Sequence, residues 1–257
     1  MTRVLIWKEL REQAAVVIAL TVLGCGVLVS MAMLLDPRDS GSLTDLKSLT
    51  MAGRLGVILL TMTAGLVIGG TLFAGERENG SFLYLDRLPG SRWQIWWRKV
   101  VAGIVMASLA TVTFVGVSGA LGLIGSRDEF AAWVVIAFLL SAFTFGWGAV
   151  GSVHARTSLT ACGIGIVYAV VFIVVTAILT QIGFLLVSVV FPDVWMEYRG
   201  MLSGLNGVIP AFATIFLPLP ISAWLFSAPD RDRKYGTALS IFTPGGGVMI
   251  SLGNAVM

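Results

Sequence analysis

The sequence predicts an all-α membrane protein. It has six transmembrane helices, an N-terminal interfacial helix and one short transverse helix between the second and third spans. Three observations carry this. The 257 residues are 57% hydrophobic and only 12% charged, against roughly 25% charged in an ordinary soluble domain. The mean hydropathy is +0.92. The apolar residues fall into long runs separated by short polar breaks, and a helix needs about 20 apolar residues to cross the hydrocarbon core.

The runs place spans at about 14–35, 55–73, 100–124, 131–153, 161–181 and 208–227. Ahead of the first, Val4, Trp7, Leu10 and Ala14 recur at three, three and four, with Lys8, Glu9, Arg11 and Glu12 on the other side. That pattern is an amphipathic helix lying in the interface, with Trp7 as an anchor; the alternative is a plain extension of the first span. The first span is longer than the apolar core of a signal peptide, about 7–15 residues, so it reads as uncleaved.

Lysine and arginine placement gives the orientation. With the N-terminus inside, twelve fall on the inner side: Arg3, Lys8, Arg11, Arg77, Arg87, Arg92, Arg98, Lys99, Arg156, Arg231, Arg233 and Lys234. Five fall outside: Arg38, Lys47, Arg54, Arg127 and Arg199. The positive-inside rule then puts both termini in the cytoplasm. The net charge of +3 reflects this bias. The basic residues form no stripe of the kind nucleic acid needs.

No Asp, Glu, Lys or Arg lies inside the six ranges. Proton relays and voltage sensors use such residues at membrane depth, so both are disfavoured. Sodium coupling through unwound backbone carbonyls stays open. The chain has no GxxxxGK[ST] phosphate loop, so no nucleotide site of its own is expected. Cys25 and Cys162 both fall in spans and have no metal or disulfide spacing.

"GVSG", Gly116–Gly119, has the form of an intramembrane serine protease motif. The base would have to be His154, the one histidine, and the topology puts it at the opposite side of the bilayer from Ser118. No catalytic or metal site is therefore expected. Gly116, Gly119 and Gly122 read instead as small residues that let helices approach closely, and Gly65 and Gly69 form a GxxxG with the same meaning.

The fifth apolar run continues to Phe191, longer than one crossing needs. Gly183 and Pro192 offer breaks, so the segment either tilts strongly or re-enters the membrane. Pro210, Pro218 and Pro220 predict a kinked sixth span. Residues 228–257 form a tail whose apolar end is too short to span. It packs at the interface, or the chain is cut from a longer protein.

The most informative stretch is residues 75–99, "GERENGSFLYLDRLPGSRWQIWWRK". Gly80 ends a helix and Ser81 caps a new one. Phe82–Leu88 makes about two turns, roughly 10 Å, with Phe82, Tyr84, Leu85 and Leu88 on one broad side. Pro89 stops it. Ser91 and Gln94 form a capping box that opens the third span. Trp93, Trp96 and Trp97 form an aromatic stripe at headgroup depth, flanked by Arg92, Arg98 and Lys99. An apolar helix this short must be covered, by the interface or by another protein.

This stretch resembles the cytoplasmic signature of type-2 ABC transporter permeases: acidic–x–acidic–x–Gly–Thr, an apolar run, Leu–Pro–x–Ser–Arg and a later Lys. Glu76, Glu78, Gly80, Ser81, Leu85, Leu88, Pro89, Ser91, Arg92 and Lys99 match it. Ser81 stands where Thr is usual, and Gly90 replaces an apolar residue. The motif covers about 25 residues; the span organisation extends the resemblance to a transmembrane domain over residues 1–227. The resemblance implies an ATP-driven exporter of the bacterial inner (plasma) membrane. In that family the transverse helix is a coupling helix seated in a separate ATP-binding cassette subunit. ATP and Mg would bind there, and two permeases, alike or different, would pair. Glu76 and Glu78 would hold the loop against neighbouring helices; Phe82, Leu85 and Leu88 would make the docking face. The alternatives are a passive scaffold that uses the same loop to hold a cytoplasmic partner, and a secondary transporter.

Overall fold

A computed structural model describes residues 2–34, 43–78, 92–124, 127–191 and 213–227. All of its regular structure is helical: α1 (Thr2–Leu34), α2 (Leu43–Glu78), α3 (Arg92–Ala120), α4 (Arg127–His154), α5 (Ser158–Val190) and α6 (Pro218–Ser227). The first five contain stretches long and apolar enough to cross a membrane, so the chain is a multi-pass membrane protein. Of the range expected for a sixth span only residues 213–227 are described, an apolar stretch shorter than the five spans; residues 208–212, with Pro210, lie outside the described residues, as do the tail 228–257 and the segment around Pro192.

Helices α2 and α4 run parallel and form the centre. The contact is close because glycines face backbone. A Cβ on Gly65 would lie 2.4 Å from the Ser141 carbonyl oxygen, and one on Gly69 would lie 2.3 Å from that of Phe145. From the other side, Gly148 would meet the Leu66 oxygen at 2.5 Å. Between lipid-facing helices no hydrophobic drive exists, so association rests on such packing. Helix α5 runs antiparallel against α4 by the same means: Gly151 faces the Ala161 carbonyl and Gly165 that of Trp147. Ala161, Gly165 and Ala169 are the buried residues of α5.

Helices α1 and α3 pack on this block through side chains. Gly24 of α1 receives the Phe114 ring, and Gly103 of α3 receives the Phe145 ring. Helix α6 packs against α4, with Pro218 on Gly146, and just before it Thr214 offers its carbonyl to Trp147 Nε1 at 3.2 Å. The expected kink appears at Leu217, between helical residues 213–216 and 218–227. Pro218 opens α6, where its missing N–H costs nothing.

Several expectations need correction. Residues 2–34 are one continuous helix, so no break sets an interfacial helix off from the first span; no glycine or proline interrupts the chain before Gly24. Helix α5 passes through Gly183 unbroken to Val190. One helical glycine costs about 1 kcal/mol, less than exposing backbone groups to lipid. Its 33 residues span about 50 Å, so the run up to Val190 is one unbroken helix with no re-entrant break at Gly183.

The three glycines at the end of α3 also differ from expectation. Gly119 does accommodate a neighbour, the Phe130 ring, but Gly116 meets nothing within 4 Å. Gly122 has φ +70° and ends the helix. Leu123 N–H donates to the Ser118 carbonyl at 2.9 Å and Gly122 N–H to that of Gly119 at 3.1 Å. This is a Schellman cap, and it ends α3 four residues before the expected Ile124. The buried Leu123 then packs on Gly53 of α2. Gly122→Ala is expected to destabilise the protein by about 1 kcal/mol, because an L-residue resists the left-handed conformation. A matching drop in thermal midpoint in detergent checks this.

Candidate functional site: the mouth of the loop between α2 and α3

Helix α2 ends in Gly75–Glu78 and α3 begins at Arg92. The predicted partner-coupling residues Gly80, Ser81, Phe82, Leu85, Leu88, Pro89 and Ser91 lie outside the described residues. Those at the two roots of the loop, Glu76, Glu78, Arg92 and Lys99, lie within them on α2 and α3.

Three consecutive residues at the end of α2 each engage a different helix. Successive helical residues point about 100° apart, so a run of three addresses three directions. Glu76 forms an ion pair with Lys99 of α3 at 2.7 Å. Arg77 donates to the Val153 carbonyl at 2.7 Å and to that of Ala155 at 3.2 Å. Those carbonyls close the C-terminus of α4, where a cation complements the helix dipole. Glu78 Oε2 accepts from Ser158 N–H at 3.1 Å and from Ser158 Oγ at 3.0 Å, at the N-terminus of α5. A carboxylate is favoured there for the same reason. Thr157 adds the N-cap, accepting from Thr160 N–H.

The Glu76–Lys99 pair is buried, with side chains 7% and 2% exposed. The Lys99 ammonium also reaches the Leu72 carbonyl at 3.4 Å and sits 5.9 Å from the centre of the Phe73 ring. Phe73 stacks on Phe226 of α6 at 4.6 Å. One turn before Lys99, Trp96 Nε1 donates to Ser222 Oγ of α6 at 3.2 Å. The pair therefore lies where α2, α3 and α6 meet.

Two expectations are overturned here. Lys99 does not stand in a solvated positive flank. The tryptophans do not form one interfacial stripe: Trp93 and Trp97 are 53% and 54% exposed, but Trp96 is 2% exposed and belongs to the core. The stacked Trp93–Trp96 rings, 5.1 Å apart, join the surface to the interior. Trp7 lies on α1. Sequence reasoning also missed Arg77, counted only as a loop cation; its place between two acidic residues that share one helix end was the available signal.

At the opposite end of the bundle Arg54 pairs with Glu129, donates to the Ile124 carbonyl at 3.4 Å and lies over the Trp133 ring. Ser118 is at that end too, one residue from Gly119 and its Phe130 contact. His154 is 24 residues along α4 from Phe130, about 36 Å, so no Ser118–His154 dyad forms. His154 instead has Nδ1 at 3.1 Å from the Val150 carbonyl.

No family model and no curated protein sequence matches the chain. A functional reading therefore stands on the residues themselves.

Proposed function

We propose that this chain is the membrane subunit of an ATP-driven transporter of the type-2 ABC permease kind, most simply an exporter. A separate ATP-binding cassette subunit, holding ATP and Mg, docks on the loop between α2 and α3. One observation supports this above the rest: Glu76, Arg77 and Glu78 tie the root of that loop to α3, α4 and α5 at once. A force on the loop would then move four helices together, as trans-acting ATP hydrolysis requires. In this reading the loop and both termini face the cytoplasm, two permeases pair in the inner membrane of a bacterium, and the chain performs no chemistry of its own.

The test is purification in mild detergent with identification of the subunits that remain bound. An ATP-binding cassette protein in the complex is the expected result. Its reproducible absence, with another cytoplasmic protein retained, favours a scaffold. Leu85→Asp is expected to release the ATPase, because a charge on the docking face would have to be buried without a partner. A variant that keeps the ATPase and its stimulated turnover shows that Leu85 does not dock it.

A further inference from the structure

The helices meet in two different ways. Helices α2, α4 and α5 interlock backbone to backbone through Gly65, Gly69, Gly148 and Gly151. At the loop end, α3 and α6 reach that block through side chains, the Glu76–Lys99 pair and Phe73 on Phe226, and are joined to each other by Trp96 on Ser222. Backbone contacts leave no freedom of approach, whereas side-chain contacts can pivot by changing rotamer. The ion pair joins the two groups and bridges the two roots of the loop.

We infer that Glu76 and Lys99 are a positioning pair that fixes α3, and α6 with it, to the α2–α4–α5 block, so that displacement of the loop turns the block and α3 as one body. The inference rests on the coupling function proposed above for its biological meaning, but its geometry stands apart from it. Removing either partner takes the ion pair from the other buried charge, and the neighbouring chain then shifts to compensate for it. The mouth of the loop would widen into several arrangements, and motion of the loop would no longer reach α3 as a single displacement.

The experiment places spin labels at Val101→Cys on α3 and Arg156→Cys at the α4–α5 turn, with Cys25 and Cys162 replaced by alanine. The distance distribution is measured in the full chain in lipid nanodiscs. The original pair should give one narrow distance. Lys99→Met and Glu76→Gln should each broaden it, and the exchanged pair Glu76→Lys with Lys99→Glu should narrow it again. In complex with the ATPase, the single variants should lose stimulation of turnover and the exchanged pair should regain it. Single variants as narrow as the original overturn the inference, as does an exchanged pair as broad as the single variants. Should the single or exchanged variants not survive extraction, the charge-free pair Glu76→Leu with Lys99→Met decides: a broad distance supports the inference, and one as narrow as the original overturns it. If the unaltered protein stimulates no ATPase, the transporter reading fails while the distances still test the pair.

Discussion

Gly69→Leu is expected to abolish recovery of folded protein. A Cβ at this position would lie 2.3 Å from the Phe145 carbonyl oxygen and 3.0 Å from the Ala149 amide nitrogen. Both are backbone atoms of a continuous helix, so no rotamer change relieves the clash. The two helices would have to separate by roughly 1 Å or more, and dispersion contacts fall off steeply over that distance. The loss is not local, because Gly65 and Gly148 share the same seam. With apolar transfer contributing nothing between lipid-solvated helices, nothing else replaces these contacts. The cost exceeds the 1–3 kcal/mol or so of ordinary overpacking. The measurement is the monodisperse fraction after detergent extraction. Gly116→Leu is the control: that position meets nothing within 4 Å, and extraction should be unchanged. A Gly69→Leu protein that extracts and melts like the original would show that α2 and α4 do not pack through this seam.

Much of the bundle was legible. Apolar run lengths located α2, α3, α4 and α5 because lipid imposes length directly on sequence. The GxxxG of Gly65 and Gly69 correctly marked a close helix contact. What the sequence concealed was which face of α3 turns inward. Trp96, Lys99, Gly103, Ala107, Ala110 and Phe114 recur at three and four and are all buried. Trp93, Trp97, Val101, Ile104 and Val105 form the exposed side. The periodicity was present in the sequence, but a lysine beside an arginine near a span end reads as a solvated flank, and three tryptophans read as one interfacial belt. Burial of Lys99 depends on Glu76, 23 residues away in sequence, and no local pattern reports such a pairing. Likewise Gly116, Gly119 and Gly122 look alike in sequence. Their distinct roles depend on where the chain turns and on what Phe130 touches.

Replacing Glu76 and Lys99 together, by leucine and methionine, is expected to separate stability from positioning. Each single removal should cost up to about 3–5 kcal/mol, since it takes the ion pair from the opposite buried charge. The double replacement removes both charges of the pair together. Its side chains are of similar volume and would lie beside Leu72 and Phe73, both apolar over most of their surface. Such exchanges are often neutral or stabilising by about 1–4 kcal/mol, so the double variant should melt at or above the temperature of the original. It should nevertheless lose the narrow distance between Val101 and Arg156 labels, because leucine against methionine accepts several relative placements of α2 and α3. A carboxylate 2.7 Å from an ammonium accepts far fewer. If the double variant is stable and keeps the narrow distance, apolar packing alone orients α3 and the charges are not needed for positioning. If it is stable, broad and unable to stimulate the ATPase, the charges set geometry rather than stability. That outcome would explain why the bundle carries a buried ion pair at the mouth of this loop.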